Sequence, residues 1–304
     1  MTRDLAPFLS LEAQVDGAGL DPATWEALRT RWGQPAGGAA TRRIRIVRGT
    51  LPPPPDMAPL AVPVSGETLP VWLAGNQAWL GEGELHLALT DAGAVLTAGA
   101  RPTEAAWVLA FVEAHRAGGW LPLHAAVLTV PSGQGVAVTG ASGAGKSTAA
   151  LRLAGAGATV LAEDQAWVRP TNGLTVGLDT HLRAFEDSVR RFAPHLLTRA
   201  AGRDAHGKLR LPLTRPGGRT TLDTLLVFGL PPQPDAAARV RAVWEATGVP
   251  LTPAARQAAA GGVQALLPRL RVQGVTRENV VEAAQARLAL SPPETGTLPG
   301  SAGG

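Results

Sequence analysis

Eight consecutive residues, Gly140, Ala141, Ser142, Gly143, Ala144, Gly145, Lys146 and Ser147, fit the pattern G-x-x-x-x-G-K-[ST] with nothing missing. Each position has a physical job. The glycines let the backbone wrap closely with its N–H groups pointing inward. A helix beginning at Lys146 adds its positive N-terminal end. The Lys146 ammonium suits the β- and γ-phosphates, and the Ser147 hydroxyl suits Mg²⁺. The stretch therefore implies a nucleoside triphosphate, ATP with Mg²⁺, cradled by Gly140, Ser142, Gly143, Ala144, Gly145, Lys146, Ser147 and Thr148. A structural glycine turn is the competing reading. The apolar strand expected at residues 135–139, followed at once by a helix, argues against it.

Glu163 and Asp164 close the next apolar stretch, Thr159 to Ala162. Carboxylates at a strand tip beside a phosphate loop suit metal coordination or deprotonation of an acceptor hydroxyl. Asp164 is assigned the base. Glu163 is assigned the metal side, with Ser147, and Asp164 remains a further candidate metal ligand. The residues alone leave the exchange of the two roles open, and a solvated turn acid is the competing reading for one of them. His124 begins the strand before the P-loop strand. If those strands are neighbours, it lies near the pair and holds Asp164 or tunes its pKa. A purely structural histidine is the alternative.

The chain holds 304 residues and no cysteine, which excludes disulfides, thiolate zinc sites and cysteine nucleophiles. A net charge of +4 gives no argument for nucleic-acid binding, despite the high pI. No apolar run reaches membrane-helix length and no export signal is seen, so the expected location is the cytoplasm. Of 28 basic side chains only Lys146 and Lys208 are lysine. Where arginine replaces lysine so widely, a surviving lysine marks a place where a compact ammonium is needed. Lys208 thereby joins the candidates for phosphate binding. Residues 180–220 carry nine basic and three acidic side chains, a positive segment suited to phosphates or an acidic acceptor. Arg269, Arg271 and Arg277 are further candidates for phosphate or base contacts.

The elements that must position these groups are expected as follows. Residues 1–102 form an α+β unit of unassigned role. It has a helix at 21–32, whose Trp25 and Trp32 share one face, and short strands at 43–47, 69–73, 77–80, 84–89 and 94–98. The prolines at 52–55 exclude helix and central strand. A helix follows at 104–116. The catalytic unit, 103–290, has strands at 123–130, 135–139, 159–162, 166–168 and 221–228. Its helices are expected at 146–154 and 183–192 and across 253–290. The tail, 291–304, reads as disordered.

Leu123, His124 and Ala125, then the P-loop, then Ala162, Glu163 and Asp164 in close succession resemble the catalytic domain of the HPr kinase/phosphorylase family. The likeness is closer to HPr-kinase-related proteins of peptide-modification gene clusters, including lasso-peptide kinases. Glu163 stands where the family's strand end has its first Asp. A weaker match, Asp204 to Lys208, is similar to a loop common among the related proteins. The resemblance implies an α/β fold with a phosphoenolpyruvate-carboxykinase-like P-loop kinase domain and a smaller, mostly β N-terminal domain. It implies phosphate transfer to a serine hydroxyl of a protein or peptide, with Asp164 as base, His124 supporting it and Lys146 at the phosphates. The family's downstream Glu-x-Arg-Gly signature is absent; Val176, Gly177, Leu178, Asp179, Thr180 and His181 stand in that region. The N-terminal unit also differs, which argues against HPr as substrate. A small-molecule kinase and a non-catalytic nucleotide-binding scaffold are the alternatives. The oligomeric state stays open, a homo-oligomer included.

Overall fold

Short runs of alternating apolar and polar residues fill the first hundred positions, and the computed structural model folds them into one sheet. The structure describes residues 5–34, 39–64, 66–130, 133–213 and 217–288. Eight strands, β1 (Phe8–Ser10), β2 (Ala13–Ala18), β3 (Arg42–Arg48), β4 (Leu60–Val64), β5 (Glu67–Ala74), β6 (Gln77–Leu80), β7 (Leu85–Thr90) and β8 (Gly93–Ala98), lie in the order β1-β2-β3-β8-β7-β6-β5-β4. Helix α1 (Pro22–Trp32) joins the parallel pair β2 and β3. Its start is written in the sequence. Asp21 accepts from the Thr24 N–H, and Pro22 occupies the first turn, where its missing N–H costs nothing. Helix α2 (Glu104–Ala117) is capped by Thr103 in the same way.

The core under this sheet unites Ile44, Ile46, Leu85, Leu87 and Leu96 with Trp25 and Trp32 of α1 and Phe111 of α2. The α2 helix, expected to open the second unit, thus packs into the core of the first sheet. Trp32 is 2% exposed and stacks on Phe111 with ring centroids 4.8 Å apart. Its edge meets Trp167 of the second sheet at 6.2 Å. His115 completes this cluster and bonds Ser10 Oγ; burial pushes its pKa down to about 3, so it stays neutral. Trp32→Ala should cost about 3–5 kcal/mol of stability. A fall in urea midpoint with an unchanged slope would measure it.

The second sheet is mixed. Its strands are β9 (Leu121–Thr129), β10 (Gln134–Thr139), β11 (Thr159–Ala162), β12 (Gln165–Val168), β13 (Leu174–Gly177), β16 (Arg219–Phe228) and β17 (Arg271–Val275). The β10–β16 and β16–β17 pairs are parallel and the others antiparallel. Because β9 pairs with both β10 and β12, the path β9–β10–β16–β13–β12 returns to its start. Helix α3 (Lys146–Gly155) packs Ala150, Leu151 and Leu153 onto Ala126, Leu128 and Val138, with Val280 and Ala284 of α7 (Val280–Leu288) in the same core. Helices α5 (Ala236–Thr247) and α6 (Pro253–Leu266) cover the other face through Ala242, Val243 and Val263 against Ala125, Val127 and Ala137. A separate hairpin of β14 (His181–Ala184) and β15 (Leu209–Pro212), with α4 (Glu186–Phe192) between its strands, packs Leu182, Ala184, Leu209 and Leu211 into the α3 core. No helix among the described residues is long and apolar enough to cross a membrane.

Two expected helices are corrected. Residues 183–192 begin as strand β14, because Leu182 and Ala184 alternate inward across from β15; helix starts only at Glu186. Residues 253–290 are two helices parted by β17. Pro268 sits just past α6, and Leu270, Val272 and Gly274 alternate with polar residues, a strand pattern alongside β16. The expected disordered tail lies outside the described residues, as do Arg215 and residues 289–290.

Candidate active site

Strand β10 is apolar on both sides, so it sits in the middle of the sheet and delivers Gly140, half-buried, at the sheet's end. Gly140 has φ 150°, and a Cβ there would lie 2.8 Å from Phe228 Cβ of β16. Gly143 and Gly145 also hold positive φ, at 77° and 120°. Only glycine takes these turns without strain. Gly145 caps α3 with no side-chain hydrogen bond, so the first N–H groups of the helix keep their bonding capacity for an anion. Lys146 is 9% exposed, and its Nζ donates to Gly140 O at 2.9 Å, folding the ammonium into the loop. Arg277, just after β17, braces the loop from outside. Its Nη2 donates to Gly143 O at 2.6 Å and its Nε to Ala144 O at 3.1 Å.

The two acids have opposite surroundings. Glu163 is 4% exposed. Ser147 Oγ donates to its Oε1 at 3.0 Å, and Arg183 donates to its Oε2 through Nε at 2.8 Å and the backbone N–H at 3.2 Å. Burial still holds its pKa above the ordinary value, against the pull of Arg183 and Ser147. Asp164 points to more open surroundings, where His124 Nε2 lies 2.9 Å from its Oδ1. That hydrogen bond holds the Asp164 pKa below its ordinary value despite partial burial. The sheet explains the meeting. Gln165 lies opposite His124 in the β12–β9 pair, and Ala125 N donates to Asp164 O. Asp179 follows β13 and accepts from three consecutive N–H groups, those of Glu163, Asp164 and Gln165.

Gly140, Ser142, Gly143, Ala144, Gly145, Lys146, Ser147 and Thr148 thus form one loop and helix start, with Ser142 and Thr148 exposed. Glu163 and Ser147 are in contact, as are Asp164 and His124. Lys208 Nζ lies 5.5 Å over the Phe185 ring, where the chain leaves β14 and enters β15, the hairpin that carries Arg183. Arg269 and Arg271 line a groove with Asp223 and Arg239, away from the P-loop. Of those three arginines only Arg277 reaches the loop. Within the basic segment, Arg190 and Arg203 are spent on Glu186, and Arg183 on Glu163. Arg183 and Asp179 are the residues that sequence reading did not single out. A carboxylate two positions after a glycine in an apolar strand was the available signal for Asp179.

Among the described residues no group of three or more His, Asp or Glu side chains could enclose a metal ion. Magnesium takes one or two protein ligands and fills its shell with phosphate and water. The Ser147 hydroxyl beside the Glu163 carboxylate is such a donor set. A comparison with protein-family models returns no match, and neither does one with curated proteins.

Proposed function

We propose that the chain is an ATP-dependent kinase that transfers the γ-phosphate to a hydroxyl, the serine of a protein or peptide. The observation that carries the reading is the separation of the two acids beside an intact P-loop. One is buried against the P-loop serine and the other is held ionised by a histidine. The P-loop strand, flanked by antiparallel β9 and parallel β16, supports assigning the domain to the phosphoenolpyruvate-carboxykinase-like kinases resembled in sequence. In this reading the loop amides and the α3 N-terminus hold the phosphates, and Lys146 leaves Gly140 O for the β/γ oxygens. Ser147 and Glu163 would hold Mg²⁺, which would neutralise phosphate charge. The acceptor oxygen bonds to the γ-phosphorus as the bond to the β–γ bridging oxygen breaks. Asp164 takes the hydroxyl proton, and ADP leaves. His124 keeps Asp164 oriented and ionised.

His124 gives this reading a pH signature. A base with a depressed pKa stays ionised well into acid, and transfer is lost only as pH falls through that depressed value. Without His124 the Asp164 pKa rises. The acid limb of kcat for His124→Ala should therefore move to higher pH, with the maximal rate down about tenfold or more. Parallel pH–rate profiles of the two proteins measure it; superimposable acid limbs would remove His124 from the mechanism.

One observation favours a second reading, a nucleotide-binding scaffold without transfer. Arg183 already pairs with Oε2 of Glu163, the carboxylate assigned to Mg²⁺. Incubation of the protein with γ-labelled ATP, Mg²⁺ and an extract of its source cells separates the readings. Label in a protein or peptide, recovered as phosphoserine, supports the proposal. Label in a small metabolite replaces the acceptor class. Tight ATP binding with no labelled acceptor leaves the scaffold.

A further inference from the structure

Neighbouring residues on a regular strand point to opposite faces, so a straight β11–β12 line would not send Glu163 and Asp164 to one end of one site. The backbone is not regular there. The register against β9 shifts between Val160 and Ala162, and the acids sit in the bend that follows. One oxygen, Asp179 Oδ2, spans this bend. It accepts from Glu163 N at 2.8 Å, Asp164 N at 2.8 Å and Gln165 N at 2.9 Å. Three successive N–H groups turned onto one point form a nest of the kind that binds anions, and here the chain fills it with its own carboxylate. Burial raises the Asp179 pKa against the pull of these three bonds, and the bonds themselves hold the bend on one oxygen.

A second observation brings Asp179 there. Gly177, two residues before it, runs so close to β11 that a Cβ would lie 1.8 Å from Leu161 O and 2.5 Å from its carbonyl carbon. Only a residue without a side chain lets β13 cross at this distance. The β12–β13 register, Ala166 opposite Gly177, then carries Asp179 under the acids.

We propose that Asp179 is a positioning residue, whose grip on three amides parts the two acids so that Glu163 faces Ser147 and Asp164 faces His124. The inference rests on the phosphotransfer reading for its purpose, but not for its geometry. Asp179 touches no substrate and acts through the bend.

The test compares Asp179→Ala with Asp179→Asn, whose amide oxygen still accepts hydrogen bonds. Amide hydrogen exchange at residues 163–165 is followed in the nucleotide-free protein. The gain in affinity for a fluorescent ATP analogue on adding Mg²⁺ is measured beside it. In Asp179→Ala the three amides should exchange about tenfold faster or more. The Mg²⁺-dependent gain should fall about fivefold or more, because Glu163 no longer faces Ser147, while Mg²⁺-free affinity changes less than about twofold. Asp179→Asn should restore most of both. Should Asp179→Ala not fold, Asp179→Ser, too short to reach all three amides, takes its place. Unchanged exchange and Mg²⁺ gain in the alanine or serine variant would overturn the proposal, as would an asparagine variant as impaired as the alanine one. A wild-type protein that binds no nucleotide would instead remove the phosphotransfer reading, and amide exchange would still decide whether Asp179 holds the bend.

Discussion

Asp164→Asn should retain Mg·ATP affinity within about threefold and lose phosphoryl transfer by about 10²–10⁴ in kcat. The two effects separate because the hydrogen-bond partner of Asp164 lies off the P-loop, although the Lys146 charge is near enough to act on it. Its partner is His124, whereas Ser147 bonds Glu163 and Lys146 bonds the loop itself. Asparagine keeps the size of the side chain and its hydrogen bond to the ring, so the fold should be undisturbed. What it loses is the capacity to take a proton. Kinetics on the labelled acceptor, with calorimetric titration of nucleotide, checks both halves. Equal losses in binding and turnover would mean that Asp164 serves the phosphates or the metal, and would exchange its role with Glu163.

Lys146→Ala should weaken Mg·ATP binding by about 100-fold or more, some 2.7 kcal/mol. The lysine brings the one mobile ammonium of the loop, and a charge-assisted bond to phosphate in a partly buried site is among the stronger polar contacts. Lys146 is nearly buried, and its Nζ is parked 2.9 Å from Gly140 O. Its removal also frees that carbonyl, but Gly140 adjoins the loop's open side, so stability should change little. Lys146→Arg should not restore binding. A planar guanidinium is bulkier than an ammonium and aims its donors differently, and the Lys146 side chain is nearly buried. Titration of the three proteins under one set of salt conditions measures the series, and an arginine variant that binds as well as wild type would contradict the packing argument.

What the sequence reveals of this site depends on how far apart its parts lie in the chain. The P-loop is legible because its glycines, lysine and serine are contiguous, and the strand and helix beside it carry clear apolar patterns. Glu163 and Asp164 are legible as a pair. Their opposite pKa directions are not, since burial and the partners Arg183 and His124 arise only from strand pairing. Asp179 and Arg183 arrive across the sheet through β13 and the β14–β15 hairpin, and no local signal ties them to residues 163–165. Lys208 stands out in the sequence by its rarity alone; that its ammonium lies over Phe185, on the hairpin that carries Arg183, comes only from the fold. The α/β character follows from the alternating segments and the helices, whereas the parallel pairs that make both sheets mixed come from the structure alone. Strand β17 was hidden inside a helical-looking stretch, because Ala-rich α6 and α7 flank five residues whose partner, β16, lies over forty positions away. The cluster of Trp32, Phe111 and Trp167 joins the two sheets through residues far apart in the chain, so seven-residue spacing in α1 identified the face but not what it meets.

The central claim is that this loop binds a nucleoside triphosphate with Mg²⁺. Calorimetric titration of the wild-type protein with ATP, in the presence and absence of Mg²⁺, tests it most directly. One site per chain is expected, with a Kd between about 1 μM and 1 mM and tighter binding when Mg²⁺ is present. No saturable binding at millimolar ATP with Mg²⁺ would contradict the account, and the glycine loop would then be a structural turn.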